Sequence, residues 1–120
     1  MKLNHLDLQV SDVQTTAHFF ERFFAFKMLT SSTLKSIAVL EGEGGFSLVL
    51  QKLKNPQAIY PEGFHIGFVL ENVERVHALF HELKDQDIEV GDAVIVNNRG
   101  TMFYFKIPGG ILTEVSAKTH

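Results

Sequence analysis

Two histidines and a glutamate, His5, His65 and Glu114, are residues of the types that bind metal ions, although they lie far apart in the 120-residue chain. An internal repeat relates their positions, because it maps His5 onto His65 and Val49 onto Glu114. Imidazole and carboxylate ligands suit divalent ions such as Zn, Mn, Fe, Co and Ni. An ion with an open coordination position acts as a Lewis acid that polarises a substrate oxygen. The residue types therefore indicate metal-assisted chemistry.

The repeat consists of an opening and a closing segment in each half of the chain. Residues 5–13 share their pattern with residues 65–73, and residues 44–51 match residues 109–116. Without this repeat, the spacing of the two histidines and the glutamate would be far too long for a local metal motif. With it, we expect all three to lie on strands that face one cavity.

The length of the chain fits one domain with a hydrophobic core of its own. A polar connection that contains prolines and a glycine separates the two halves. We therefore expect a single domain over residues 1–120, with repeats at residues 1–54 and 63–120 and a linker at residues 55–62.

The composition argues against several classes of function. The chain has no cysteine, which excludes disulfides, thiolate nucleophiles and sulfur ligands. Its formal net charge of −3 and scattered basic residues argue against a nucleic-acid partner. No apolar stretch approaches the roughly 20 residues that span a bilayer, and the N-terminus lacks the layout of a signal peptide. We expect a cytoplasmic protein without membrane contact.

In the first half, local patterns predict a strand, a helix and further strands. Residues Leu3–Val10 alternate between apolar and polar, so one face of this strand is apolar and the other polar. Ser11 and Gln14 are spaced as in a capping box, and apolar residues then recur at helical spacing up to about Phe26. The further strands are predicted at Ile37–Glu41 and Phe46–Lys52.

The second half repeats this order. A strand is predicted at Phe64–Leu70, and Asn72 suits the N-cap of the helix that follows. One or two short strands are predicted within Ile88–Val96, and the final two strands at Thr101–Ile107 and Ile111–Ser116. Each half is therefore predicted to form a βαβββ unit.

This layout resembles the vicinal oxygen chelate superfamily over essentially the whole chain. That superfamily includes glyoxalase I, bleomycin-resistance proteins, fosfomycin-modifying enzymes and extradiol dioxygenases. The resemblance lies in the opening strand and helix from His5 to Phe24, and in the segment from Arg99 to Glu114. It implies an α+β fold in which two βαβββ repeats form a cupped eight-stranded mixed sheet with helices on the outside. It also implies a homodimer, with the cup built within one chain or between two.

In proteins of this superfamily, the first and last strands of each unit supply the ligands of one divalent metal ion. Position by position, the resemblance implies His5, His65 and Glu114 as ligands of Zn, Ni, Mn, Co or Fe. The fourth position falls on Val49, which cannot bind a metal and counts against glyoxalase I activity. Gln51, two residues further on and on the same face, is an alternative ligand.

Two further residues are candidates for catalysis. Asp7 shares the strand face of His5, where it could act as a general base or orient a ligand, or simply form a polar rim. Tyr104 could place its hydroxyl in the cup or cover a sheet edge. Arg99 could bind an anionic substrate or remain an exposed loop residue.

Two functions of different classes follow. The first is a metal-dependent enzyme, a lyase, isomerase or dioxygenase that acts on a small oxygen-rich molecule. The alternative is a metal-free binding protein that sequesters a drug or metabolite in the same cavity, as bleomycin-resistance proteins do. The histidines and glutamate favour the enzyme, whereas Val49 favours the binding protein.

Overall fold

A computed structural model of the protein describes residues 1–118, which contain two α-helices and eight strands. The chain divides into two compact units, Met1–Ile59 and Tyr60–His120, the last two residues of which lie outside the described range. Each unit has the predicted order of one strand, one helix and three strands. The predicted α+β class is confirmed, and its eight strands form two four-stranded mixed sheets.

Unit 1 places its first strand beside its last. Its elements are β1 (His5–Val10), α1 (Val13–Phe24), β2 (Lys27–Met28), β3 (Ile37–Glu41) and β4 (Ser47–Lys52), with a short 3-10 turn at Glu43–Gly45. The strand order is β1-β4-β3-β2. The β1–β4 pair is parallel and the other pairs are antiparallel. The helix between β1 and the later strands makes the parallel pairing possible, because parallel strands need a long crossover.

Unit 2 repeats this topology. Its elements are β5 (His65–Val69), α2 (Val73–Asp85), β6 (Ile95–Asn97), β7 (Gly100–Lys106) and β8 (Leu112–Ala117). The strand order is β5-β8-β7-β6, and β5 pairs with β8 in parallel. The same order of elements therefore produces the same sheet in both halves of the chain.

In each unit, the helix covers one face of the sheet and forms the core there. The helix α1 contacts β3 and β4, and α2 contacts β7 and β8. The buried apolar residues of the helices are Val13, Ala17 and Phe20 in α1, and Val76, Phe80 and Leu83 in α2. Burial of each large apolar side chain stabilises the fold by roughly 1.5–3 kcal/mol. Side chains alternate along a strand, so every second strand residue faces the helix. The other strand residues point to the opposite side of the sheet, which we call the helix-free face.

The start of α1 differs from the prediction. The N-cap is Asp12, whose Oδ1 accepts a hydrogen bond of 3.0 Å from the Thr15 backbone N–H. Gln14 instead donates to the backbone carbonyl of Leu34 at 2.6 Å, so the predicted capping box of Ser11 and Gln14 is wrong. Both serine and aspartate are good N-caps, and the extended backbone at Asp12 decides between them.

Other element boundaries also shift. The first helix ends at Phe24, because Ala25 adopts the left-handed conformation that ends many helices. Within Ile88–Val96, residues 88–94 form no strand, and only the last two residues belong to one, β6. Gly91 interrupts the segment before β6 with a positive φ of 84°. The short strand β2 was not located from the sequence. No helix within residues 1–118 is long and apolar enough to cross a membrane.

The predicted cap of α2 is confirmed, since Asn72 Oδ1 accepts a hydrogen bond of 2.9 Å from the Arg75 backbone N–H. We expect Asn72→Ala to lower the free energy of unfolding by about 1 kcal/mol, because the helix loses this acceptor. Asn72→Asp, which keeps an acceptor and adds a favourable charge, should retain the wild-type stability. Urea unfolding of the three proteins measures the difference. Equal midpoints for Asn72→Ala and the wild type would contradict the assigned cap.

Candidate functional site

In unit 2, the parallel pairing of β5 with β8 places two predicted ligands on one face. His65 and Gly67 alternate with the half-buried Ile66 and Phe68, and therefore lie on the helix-free face of β5. Glu114 is in register with Gly67 on the adjacent strand β8. The imidazole of His65 and the carboxylate of Glu114 therefore lie on neighbouring strands and on the same side of the sheet.

The Glu114 carboxylate is oriented by a tyrosine on β7, the strand that flanks β8 opposite β5. Tyr104 on β7 is in register with Glu114, and its hydroxyl donates a 2.7 Å hydrogen bond to Glu114 Oε1. This hydrogen bond, with some contribution from burial, raises the pKa of Tyr104 above its usual value of 10.0. At neutral pH the hydroxyl is therefore protonated and acts as a donor.

Gly67 leaves space beside the second carboxylate oxygen. A Cβ atom at this position would lie 3.7 Å from Glu114 Oε2 and 3.6 Å from the backbone oxygen of Glu114. A longer side chain would extend over the carboxylate, whereas glycine leaves that side uncovered. The sequence did not indicate this role of Gly67, because only the strand register shows that Gly67 lies beside Glu114.

The ring of His65 is held by a turn at the start of β5. Its Nδ1 lies 2.9 Å from the backbone carbonyl oxygen of Gly63. A carbonyl oxygen only accepts, so Nδ1 carries the hydrogen, and Nε2 has the lone pair when the ring is neutral. A backbone carbonyl is one of the usual partners of a metal-binding histidine, beside carboxylates and water. The donor types of His65 and Glu114, an imidazole nitrogen and a carboxylate, thus suit a divalent metal ion.

In unit 1, the helix-free face carries a second polar cluster. His5, Asp7 and Gln9 lie on this face of β1, and Val49 and Gln51 on the same face of β4. Asp7 Oδ1 accepts a 2.8 Å hydrogen bond from Gln9 Nε2, and its Oδ2 accepts one from Gln51 Nε2. Both oxygens of Asp7 are therefore bound by amide groups, a role of Gln9 and Gln51 that the sequence did not reveal.

The structure therefore divides the predicted site residues between the units. Unit 1 contains His5 and Asp7, and unit 2 contains His65, Tyr104 and Glu114. Among residues 1–118, no three His, Asp or Glu side chains come together as a group that could hold a metal ion. The full ligand set stays a prediction.

Arg99 is the remaining candidate. Its Nη2 lies 3.9 Å from Met102 Sδ, and its charge and a hydrogen bond lower the pKa of Tyr104 against the larger effect of Glu114. The guanidinium thus lies near the Tyr104 hydroxyl.

Residues 2–115 match the family model for the Glyoxalase/Bleomycin resistance protein/Dioxygenase superfamily. The chain belongs to this superfamily. A comparison with curated protein sequences gave no match.

Solved structures agree with this assignment. A possible glyoxalase from Bacillus cereus is 31% identical, with a TM-score of 0.84 over 97% of this chain and 98% of that one. A fosfomycin resistance protein from Listeria monocytogenes is 22% identical, with a TM-score of 0.78 and coverages of 99% and 94%. A lactoylglutathione lyase from Agrobacterium tumefaciens is 16% identical, with a TM-score of 0.75 and coverages of 97% and 92%. The last two likenesses support the glyoxalase-type fold alone.

The hydrogen bond between Tyr104 and Glu114 gives a pH-dependent prediction. We expect Tyr104 in the folded protein to ionise above pH 10.0, and at lower pH in Glu114→Gln, which lacks the carboxylate charge. Since the folded-state pKa is raised, the stabilisation is fully present below the unfolded-state pKa and is lost as pH rises through the folded-state pKa.

Ultraviolet titration of tyrosinate in the folded protein measures this ionisation. Tyr104→Phe identifies which of the two tyrosines is responsible for the late phase. Identical titration curves for the wild type and Glu114→Gln would show that the hydrogen bond is absent in solution.

Proposed function

We propose that the protein is a metal-dependent enzyme of the lyase, isomerase or dioxygenase type that acts on a small oxygen-rich molecule. In this proposal His5, His65 and Glu114 bind one divalent ion, which is Zn, Ni, Mn, Co or Fe. When bound, such an ion polarises a substrate oxygen and stabilises the negative charge that develops on it. Membership of the superfamily supports the class of reaction, and the residues of unit 2 support the ligands.

The observation that carries the proposal is the orientation of both unit 2 ligands by neutral partners. The Gly63 carbonyl directs the lone pair of His65 to Nε2, and the Tyr104 hydroxyl holds Glu114 through Oε1. Gly67 leaves the second oxygen of Glu114 uncovered on the side of β5. Such outer partners are characteristic of metal-binding histidines and carboxylates.

The two catalytic candidates receive different roles. Tyr104 is protonated at neutral pH because its pKa is raised, so it donates a hydrogen bond and does not accept a proton from the substrate. Asp7 lies on the strand face of His5 and is the second candidate for direct contact with the ligand.

We also propose that the chain forms a homodimer, as members of the superfamily often do, and that no nucleic acid is bound. Sedimentation analysis of the purified protein tests the oligomeric state.

The metal-free binding protein is the second candidate function. It is favoured by the absence, among residues 1–118, of a group of three His, Asp or Glu side chains that could hold an ion. The valine at position 49 favours it as well. In this case the polar residues of the helix-free faces would bind a drug or metabolite directly.

Elemental mass spectrometry of the purified protein, after reloading with divalent ions, separates these functions. We expect about one metal ion per chain, as in a single-ion site. His65→Ala and Glu114→Ala should lose the ion because each removes a ligand. The matched controls are His81→Ala and Glu89→Ala, which remove exposed residues of the same types. A wild-type protein that binds no Zn, Ni, Mn, Co or Fe would rule out the enzyme as proposed and leave the binding protein.

A further inference from the structure

Each unit carries one carboxylate at the same level of its parallel strand pair, but on opposite strands. In unit 2, Glu114 is on the last strand, β8, and its neighbour in register on β5 is Gly67. In unit 1, Asp7 is on the first strand, β1, and its neighbour in register on β4 is Val49. By the repeat, Val49 corresponds to Glu114 but lacks a carboxylate, and Asp7 corresponds to Gly67 but has one. These two unit 1 residues are direct neighbours in the sheet.

The distance between the two positions is small. Adjacent strands lie about 4.8 Å apart, and both residues are on the helix-free face. A carboxylate on β1 can therefore reach much of the space that a carboxylate at position 49 would occupy. Val49 has no polar atom that would compete for a ligand there.

Asp7 is oriented by hydrogen bonds, as metal-binding carboxylates are. Its two oxygens accept hydrogen bonds from Gln9 Nε2 and Gln51 Nε2. An ionised carboxylate offers about four acceptor positions, so these bonds leave about two for another partner. Because a carboxylate only accepts, both amides must turn their NH2 groups towards Asp7. Gln51 thus serves Asp7 as a donor.

His5 is close enough to Asp7 on the same strand for both side chains to bind one metal ion. The two residues are separated by Leu6 alone, so both side chains project from the helix-free face, with Cα atoms about 7 Å apart. Imidazole and carboxylate are also the two ligand types of unit 2.

We propose that Asp7 is a metal ligand and supplies the carboxylate that position 49 lacks. Each half of the chain then contributes one imidazole and one carboxylate, His5 with Asp7 and His65 with Glu114. Gln9 and Gln51 are positioning residues that hold Asp7. This inference rests on the proposed function, since it extends the set of ligands for the same ion.

Calorimetric titration of the metal-free protein with Ni²⁺ and with Zn²⁺ tests the role of Asp7. We expect Asp7→Asn to weaken binding by more than about 10-fold, since even outer partners of a metal site contribute 10- to 100-fold. The matched control is Glu41→Gln, which removes the same charge from the helix-free face of β3, two strands away. Equal affinities of Asp7→Asn and the wild type would overturn the inference.

A relocation experiment tests whether the carboxylate can be supplied from either strand. Asp7→Gly should lose affinity, and the double variant Asp7→Gly with Val49→Glu should recover it, because the pair then copies Gly67 and Glu114. Thermal unfolding checks that each variant is folded. A folded double variant that binds no better than Asp7→Gly would contradict the proposed equivalence of the two positions.

The positioning role of Gln51 has its own signature. Gln51→Leu should weaken metal binding about 10-fold in the wild type. It should have no effect in an Asp7→Asn background, because its contribution passes through Asp7. An equal loss in both backgrounds would show that Gln51 acts independently of Asp7.

The outcomes for the two proposals are distinct. If the wild type binds neither Ni²⁺ nor Zn²⁺, the proposed metal-dependent function fails. If it binds an ion that Glu114→Ala loses and Asp7→Asn retains, only the role of Asp7 fails.

Discussion

The parallel pairing of the first strand with the last strand of each unit is the constraint on which the candidate site depends. It sets Asp7 beside Val49 and Gly67 beside Glu114. A slip of one residue would turn every side chain of a strand to the opposite face. In β1 such a slip would move Asp7 under the helix and Leu8, which is only 1% exposed, away from it. The burial of apolar residues under α1 and α2 therefore determines where the polar residues lie.

Both carboxylates on the helix-free faces are held by neutral donors. Glu114 accepts from the Tyr104 hydroxyl, and Asp7 accepts from the amides of Gln9 and Gln51. Within the described part of the chain, neither carboxylate forms a salt bridge with lysine or arginine. A neutral donor orients a carboxylate without cancelling its charge, whereas a salt bridge would neutralise it. Each unit therefore presents an oriented negative charge that a cation can bind.

The spacing of apolar residues predicted most of the fold, because the burial of one face of each strand and helix imposes that spacing directly. The alternation around His65 and the apolar spacing of α2 were sufficient to predict a strand and a helix in the observed places. The apolar spacing did not predict features that depend on backbone angles or on partners distant in sequence. The choice of Asp12 over Ser11 as N-cap depends on local φ and ψ. The hydrogen bond from Gln51 to Asp7 depends on strand register, which the repeat alone does not specify. The assignment of His5, His65 and Glu114 as ligands came from family resemblance, and it stays a prediction.

Val49 is weaker evidence against a metal site than a comparison of single positions indicates. Such a comparison treats each strand position as a separate requirement, whereas a bound ion requires only that an oxygen reach it. Two positions in register on adjacent strands are about 4.8 Å apart, and aspartate and glutamate differ in reach by one methylene group. In the proposed metal site, the pair of positions is therefore the unit that has to supply a carboxylate. In unit 2 the pair supplies it from β8 and keeps glycine on β5, and in unit 1 it supplies it from β1 and keeps valine on β4. Both pairs contain one acidic residue and one residue without polar side-chain atoms, so at the level of the pair the repeat is intact.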